Sequence, residues 1–147
     1  MANKYIIHTD GGSRGNPGPA AIGFVIEAED GSLDKEYGEY IGETTNNDAE
    51  YRAVVSALKK LKSLVGASKA KEATVELHAD SELLVKQINR EYKVLDKNIQ
   101  VLFVEILNLC LDFKKVTFLH LMREENKRAD KMVNQALDQE LKGKLRI

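Results

Sequence analysis

Four acidic residues, Asp10, Glu50, Asp80 and Asp130, are separated by 40, 30 and 50 positions, and each stands where a strand should end or a helix begin. Asp10 closes the apolar run Tyr5-Ile6-Ile7-His8-Thr9 and opens a Gly/Pro-rich stretch. Glu50 lies at the entry to a long amphipathic segment, Asp80 closes the strand-like Ala73–Ala79, and Asp130 opens the last helical pattern. Each has an ordinary explanation when taken alone. Asp-Gly is a favoured tight-turn pair. Asn47 and Glu50 match a helix cap and its third-position glutamate. Asp80 can cap the helix after it, and Asp130 suits the positive end of a helix. These explanations account for four backbones but not for the set of charges. Glu50 also falls on the Val54–Leu58–Leu61 stripe, which a mere cap does not require. Acids gathered at one edge of a sheet repel one another unless cations neutralise them. Oxygen donors without nitrogen or sulfur select magnesium or manganese. Two such ions ~3.5–4 Å apart can clamp the attacking and leaving oxygens of a phosphoryl transfer.

The elements that must carry these acids read in a consistent order. Residues 4–10 form an apolar strand, 11–19 a Gly/Pro turn and 20–28 a second strand. Glu29-Asp30-Gly31-Ser32 signals a hairpin into a third, more polar strand over 33–41. A helix follows from about 47 to 65, a fourth strand over 73–79, helices over 81–89 and 98–113, a fifth strand over 116–121, and a last helix from about 126 to 141. The tail, 142–147, has no clear assignment. Three strands joined by short turns predict an antiparallel meander. The later two strands, each reached through a helix, should run parallel to the first. The expected fold is a single α/β domain over 1–147 with a five-stranded mixed sheet flanked by helices. In such a sheet, sites form beyond the carboxyl ends of the strands.

Composition bounds the rest. With 147 residues, 43% hydrophobic and 31% charged, the chain has an ordinary globular balance. Its apolar stretches fall short of the ~20 residues a membrane span needs, and its first residues lack a signal peptide's apolar core. The lone Cys110 sits in an apolar run and reads as a core residue, so a reducing cytoplasmic location is expected; the chain is also expected to act as a monomer. A net charge of −1 excludes a protein coated in basic residues. Residues 27–50 nevertheless carry nine acids against one lysine, whereas 58–97 carry nine Lys/Arg against six acids. A polyanion would meet the second region and avoid the first.

Four stretches, in order and in register, resemble the type 1 ribonuclease H family: Thr9-Asp10-Gly11-Gly12-Ser13-Arg14-Gly15-Asn16-Pro17-Gly18, Thr45-Asn46-Asn47-Asp48-Ala49-Glu50, His78-Ala79-Asp80-Ser81, and Arg123-Glu124-Glu125-Asn126-Lys127-Arg128-Ala129-Asp130. The resemblance covers essentially the whole chain. It implies an RNase H-like fold and a metal site for Mg2+ or Mn2+ made of Asp10, Glu50, Asp80 and Asp130. It also implies endonucleolytic hydrolysis of the RNA strand of RNA–DNA hybrids, leaving 5′-phosphate and 3′-hydroxyl ends. Gly11, Gly12, Ser13, Asn16, Asn46, Asn47, Arg123 and Asn126 are the expected contacts to sugar and phosphate. The 2′-hydroxyl is the group by which such a site tells RNA from DNA.

The chain departs from the better-known bacterial branch in two respects. The loop before the last helix has no histidine, so Arg123 or Glu124 is left to assist there, and His120 is assigned no role. There is no tryptophan and no basic handle between the middle helices, which leaves Lys86, Arg90, Lys93 and Lys97 as a possible ridge for the DNA strand. Two other readings compete. One is a DNA-cutting relative of the same fold, against which the Asn46-Asn47 pair speaks. The other is a binding module with a dead site, against which four intact acids speak.

Overall fold

The computed structural model describes residues 3–145. Three strands, β1 (Lys4–Ser13), β2 (Gly18–Ala28) and β3 (Asp34–Thr44), form the antiparallel meander. Helix α1 (Asn46–Val65) and the single turn α2 (Ala67–Ala70) lead to β4 (Thr74–Ala79). Helices α3 (Glu82–Ile88) and α4 (Lys97–Cys110) precede β5 (Lys115–His120), and a 3-10 turn (Arg123–Glu125) leads into α5 (Lys127–Leu145). The sheet order is β3-β2-β1-β4-β5, with β4 parallel to both β1 and β5. This is the mixed sheet expected from the sequence.

The two faces of the sheet are covered differently. Odd-numbered residues of β1, among them Tyr5 and Ile7, point into the main core with Tyr51, Val54, Leu58 and Leu61 of α1. On the opposite face, Val133 and Leu137 of α5 pack on Ala21 of β2 as a smaller cluster. The amphipathic stripe of each helix thus sets which side of the sheet it takes.

Several expected boundaries shift for identifiable reasons. β1 does not stop at Asp10 but continues to Ser13, because Asp10–Ser13 pair with Gly23–Ala20 of β2. The Asp-Gly pair is therefore not a turn; the chain reverses over 14–17, where Gly15 takes φ +93°. α1 is capped by Thr45, whose side chain accepts from the Asp48 amide, and not by Asn47. α3 is capped by Ser81, which accepts from the Leu84 amide, and not by Asp80. α5 runs through residues 142–145 of the tail, and positions 146–147 lie outside the described residues.

Candidate active site

β1 and β4 run in parallel register up to Thr9 opposite Ala79. The next residue in each segment is an aspartate, Asp10 still within β1 and Asp80 just past the end of β4. Asp10 and Asp80 are therefore neighbours at the carboxyl edge of the parallel ladder, although β1 itself goes on to pair with β2. Glu50 reaches them because α1 lies against Gly11. A Cβ on Gly11 would fall 2.3 Å from the Ala49 carbonyl carbon and 2.5 Å from the Glu50 amide nitrogen. Only a residue without a side chain lets the two backbones come so close. A second glycine serves the other face. A Cβ on Gly23 would lie 2.4 Å from the Ala129 carbonyl oxygen, so α5 can settle on β2 and carry Asp130 to the site.

Carboxylate oxygens of Asp10, Glu50 and Asp80 lie within 4.8 Å of one another. Asp130 is not part of this triplet, but it lies near enough to Asp10 for its charge to raise the Asp10 carboxyl. Burial, and then the charges of Asp80, Asp130 and Glu50, push the Asp10 carboxyl up to about 8. Burial lifts Glu50 to about 7, against the Ser81 hydroxyl and the more distant Arg123 charge, which both favour its ionised form. Two acids pushed up toward neutrality mark a place built for more positive charge than the protein supplies.

The surrounding groups fix these side chains. Asn126 donates to the Thr9 carbonyl (2.8 Å) and to Asp80 Oδ2 (3.2 Å). Asn134 donates to the backbone carbonyl and to Oδ2 of Asp130 at 3.1 and 3.3 Å. Beside the acids opens a cleft of about 360 Å³ whose wall includes Gly12, Ser13, Asn46 and Arg123. Asn46 Oδ1 accepts from both the amide and the hydroxyl of Ser13 (2.8 and 3.1 Å), and Asn16 Oδ1 accepts from the Asn46 amide (3.0 Å). The loop after β1 and the start of α1 thus form one braced wall.

Some residues expected at the substrate are placed elsewhere. Asn126 is 1% exposed and turned inward, so it orients Asp80 and cannot touch a substrate. Asn47 is half-buried, with its Oδ1 enclosed and unbonded. Glu124 lines a separate groove with His8 and Arg128, away from the acids, whereas Arg123 faces the cleft. His120 shares a pocket with His8 and His78. Arg90, Lys93 and Lys97 are exposed, but Lys86 is engaged by Glu82 (3.0 Å) and lies over the Tyr92 ring (5.1 Å). None of the four lines the acidic cleft. Ser81, Arg14 and Asn134, which sequence reasoning did not assign to the site, stand beside it.

A five-stranded mixed sheet in the order 3-2-1-4-5, with acids at the edge where its parallel strands end, defines a ribonuclease H-like domain. A family model described as reverse transcriptase-like matches residues 8–136. Ribonuclease HI of Halobacterium salinarum is 39% identical over 129 residues, 88% of this chain and 62% of the relative. A bifunctional protein of Mycobacterium tuberculosis is 38% identical over 92% of this chain, which spans 36% of that protein. The chain therefore covers less than two-thirds of these relatives' length. The crystal structure of LC11-RNase H1 in complex with an RNA/DNA hybrid superposes with a TM-score of 0.86 at 44% identity, covering 93% of this chain and 99% of that one. The chain belongs to the type 1 ribonuclease H family.

Proposed function

We propose that the protein is an endoribonuclease that hydrolyses the RNA strand of RNA–DNA hybrids, with Asp10, Glu50, Asp80 and Asp130 as its metal-binding acids and 5′-phosphate and 3′-hydroxyl ends as its products. The observation that carries this reading is the convergence of three carboxylates within 4.8 Å at the edge of an open polar cleft. The donor set fits hard divalent cations, magnesium or manganese, because it is oxygen alone and is over-supplied with negative charge. Ions bound there would supply Lewis acidity for the attacking water and the departing 3′ oxygen alike. The protein's own groups do the positioning. Asn126 hydrogen-bonds Asp80 Oδ2, Ser81 favours the ionised form of Glu50, and the charge of Asp130 adds to the repulsion on Asp10 that cations would relieve. Ser13, Asn16 and Asn46 offer small polar groups on the wall that a sugar–phosphate backbone would follow. A monomer working in the cytoplasm is part of the same reading. The cytoplasmic part of that reading rests on the free, half-buried thiol of Cys110.

Cleavage assays on hybrid, double-stranded RNA and double-stranded DNA, each with magnesium, with manganese and with EDTA, test it. Cutting of the RNA strand of the hybrid, abolished by EDTA, is expected. Metal-dependent cutting of DNA alone would transfer the site to a different nuclease reaction, and no cutting of any substrate would leave a binding module.

A further inference from the structure

Arg14 stands at the far end of the acidic cleft in an unusual electrical position. Its guanidinium lies 2.7 Å from Asp138 Oδ1 and 3.4 Å from Asn134 Oδ1, and Asn134 in turn donates to Asp130. Asp130, Asn134 and Asp138 are spaced four apart on α5, so they form one stripe leading away from the acids. Arg14 and Arg123 are the two cations on the cleft wall. The field of Arg123 falls on Glu50. That leaves Arg14 as the positive charge available to a polyanion in a place otherwise dominated by carboxylates.

We infer that Arg14 is a phosphate-binding residue for the nucleic-acid strand in the cleft, and that Asp138 is its resting partner, displaced when a phosphate arrives. This rests on the ribonuclease reading above. Three observations support it. The Arg14–Asp138 pair is largely open to water, with side chains 38% and 56% exposed, and pairs of that kind hold weakly. A phosphate can accept the guanidinium fork through two charge-assisted bonds, so exchange of partner is favourable. The base of the side chain is already fixed, since the Arg14 amide donates to the Pro19 carbonyl (2.8 Å) and the neighbouring Ser13 and Asn16 are tied to Asn46. Only the guanidinium has to move. Asn134 is one helical turn, ~6 Å along the axis, from Asp130. Phosphates of one strand are spaced ~3.4 Å along a duplex axis, so one lying one or two positions from the acids falls within reach.

The competing explanation is that the ion pair merely pins the loop of residues 14–17 to α5. The two accounts give opposite signs for Asp138. Affinity for a fluorescently labelled RNA–DNA hybrid would be measured by anisotropy in magnesium, in an Asp10→Asn background that prevents turnover. Arg14→Ala should weaken binding about tenfold and reduce the slope of log affinity against log salt by about one. Arg14→Lys should fall between, because it keeps the charge and loses the fork. Asp138→Asn should tighten binding two- to fivefold, roughly the strength of an exposed pair. The double variant should bind like Arg14→Ala alone. Weaker binding by Asp138→Asn, or an unchanged salt slope for Arg14→Ala, would overturn the inference and leave the pair as an anchor. A parent chain that neither binds nor cuts the hybrid would instead remove the ribonuclease reading, and this inference with it.

Discussion

Asn126 and Asp80 meet across the top of the sheet: a side-chain amide that is 1% exposed donates to one oxygen of the aspartate and, through the same nitrogen, to the Thr9 carbonyl one residue before Asp10. A single buried group thus sets the height of both strand ends and the rotamer of one acid. Asn126→Ala leaves the Thr9 carbonyl unpaired, which should cost about 1–3 kcal/mol of stability. If Asn126 orients Asp80 rather than binding substrate, kcat should fall far more than KM rises. A rise in KM with kcat intact would return Asn126 to the substrate-binding groups. Asn126→Asp should be worse than Ala, since it sets another acceptor against Asp80.

The two glycines after Asp10 are not equivalent. Gly11→Ala must displace the start of α1, because its Cβ would meet Ala49 and Glu50 backbone atoms at 2.3–2.5 Å. A loss of about 3 kcal/mol or more is expected by urea unfolding, with activity lost as Glu50 moves away. At Gly12 the nearest atoms to an added Cβ are 3.9 Å away, so Gly12→Ala should change stability by less than about 1 kcal/mol. Equal losses at both positions would refute the close-approach argument.

Without cations the raised Asp10 and Glu50 carboxyls make folding pH-dependent. Their folded values, about 8 and about 7, exceed their ordinary values of 3.8 and 4.5. Below those ordinary values both groups are protonated in either state and the native protein carries no penalty. As pH rises through the window to about 8, the unfolded chain ionises first and stability is lost. Metal-free Tm should therefore decline between about pH 5 and 8 through these groups, and saturating magnesium should flatten the decline because it favours the ionised forms. Asp10→Asn should abolish cleavage, raise the metal-free Tm at pH 8 by roughly 2–4 °C or more, and weaken the pH dependence. Cleavage by that variant in magnesium would remove Asp10 from the metal site.

The exposed basic ridge gives a separate handle on the path of the substrate. Arg90, Lys93 and Lys97 are exposed and stand apart from the acidic cleft, whereas Lys86 is already held by Glu82 and Tyr92. Arg90→Glu with Lys93→Glu should raise KM while leaving kcat within about twofold. The salt slope should fall by about two, one for each phosphate no longer neutralised. An unchanged KM would mean that this ridge faces away from the bound duplex.

How far these residues could be foreseen depended on whether the information was local. The four acids were legible because each falls at a point where hydrophobic periodicity changes, and the sheet topology followed from the loop lengths. The end of β1 was not, because β1 has two neighbours of different length: it outlasts parallel β4 and continues along β2. Helix caps went to Thr45 and Ser81, each close to an equally suitable polar neighbour between which the local sequence does not choose. Gly11 reads as a turn glycine in sequence because the backbone it makes room for, at Ala49, lies far along the chain. The inward turn of Asn126 and the pairing of Arg14 with Asp138 are long-range facts of the same kind. They leave no periodic trace.

Strand choice is the test closest to function. The wall formed by Ser13, Asn16 and Asn46 is braced by its own hydrogen bonds. If these groups and the Gly11–Gly12 backbone read 2′-hydroxyls, each missing hydroxyl should cost about 1–3 kcal/mol, since the polar group built for it is left unpaired. A duplex with one ribonucleotide in an otherwise deoxy strand should then be a poor substrate, and one with a run of about four a good one. A hydroxyl worth about 1.4 kcal/mol in the transition state changes the rate about tenfold. Asn46→Ala releases Ser13 as well and should lower both kcat and affinity. Equal cutting of all-DNA and hybrid duplexes would show that no hydroxyl is read and would favour a DNA-cutting reaction for this site.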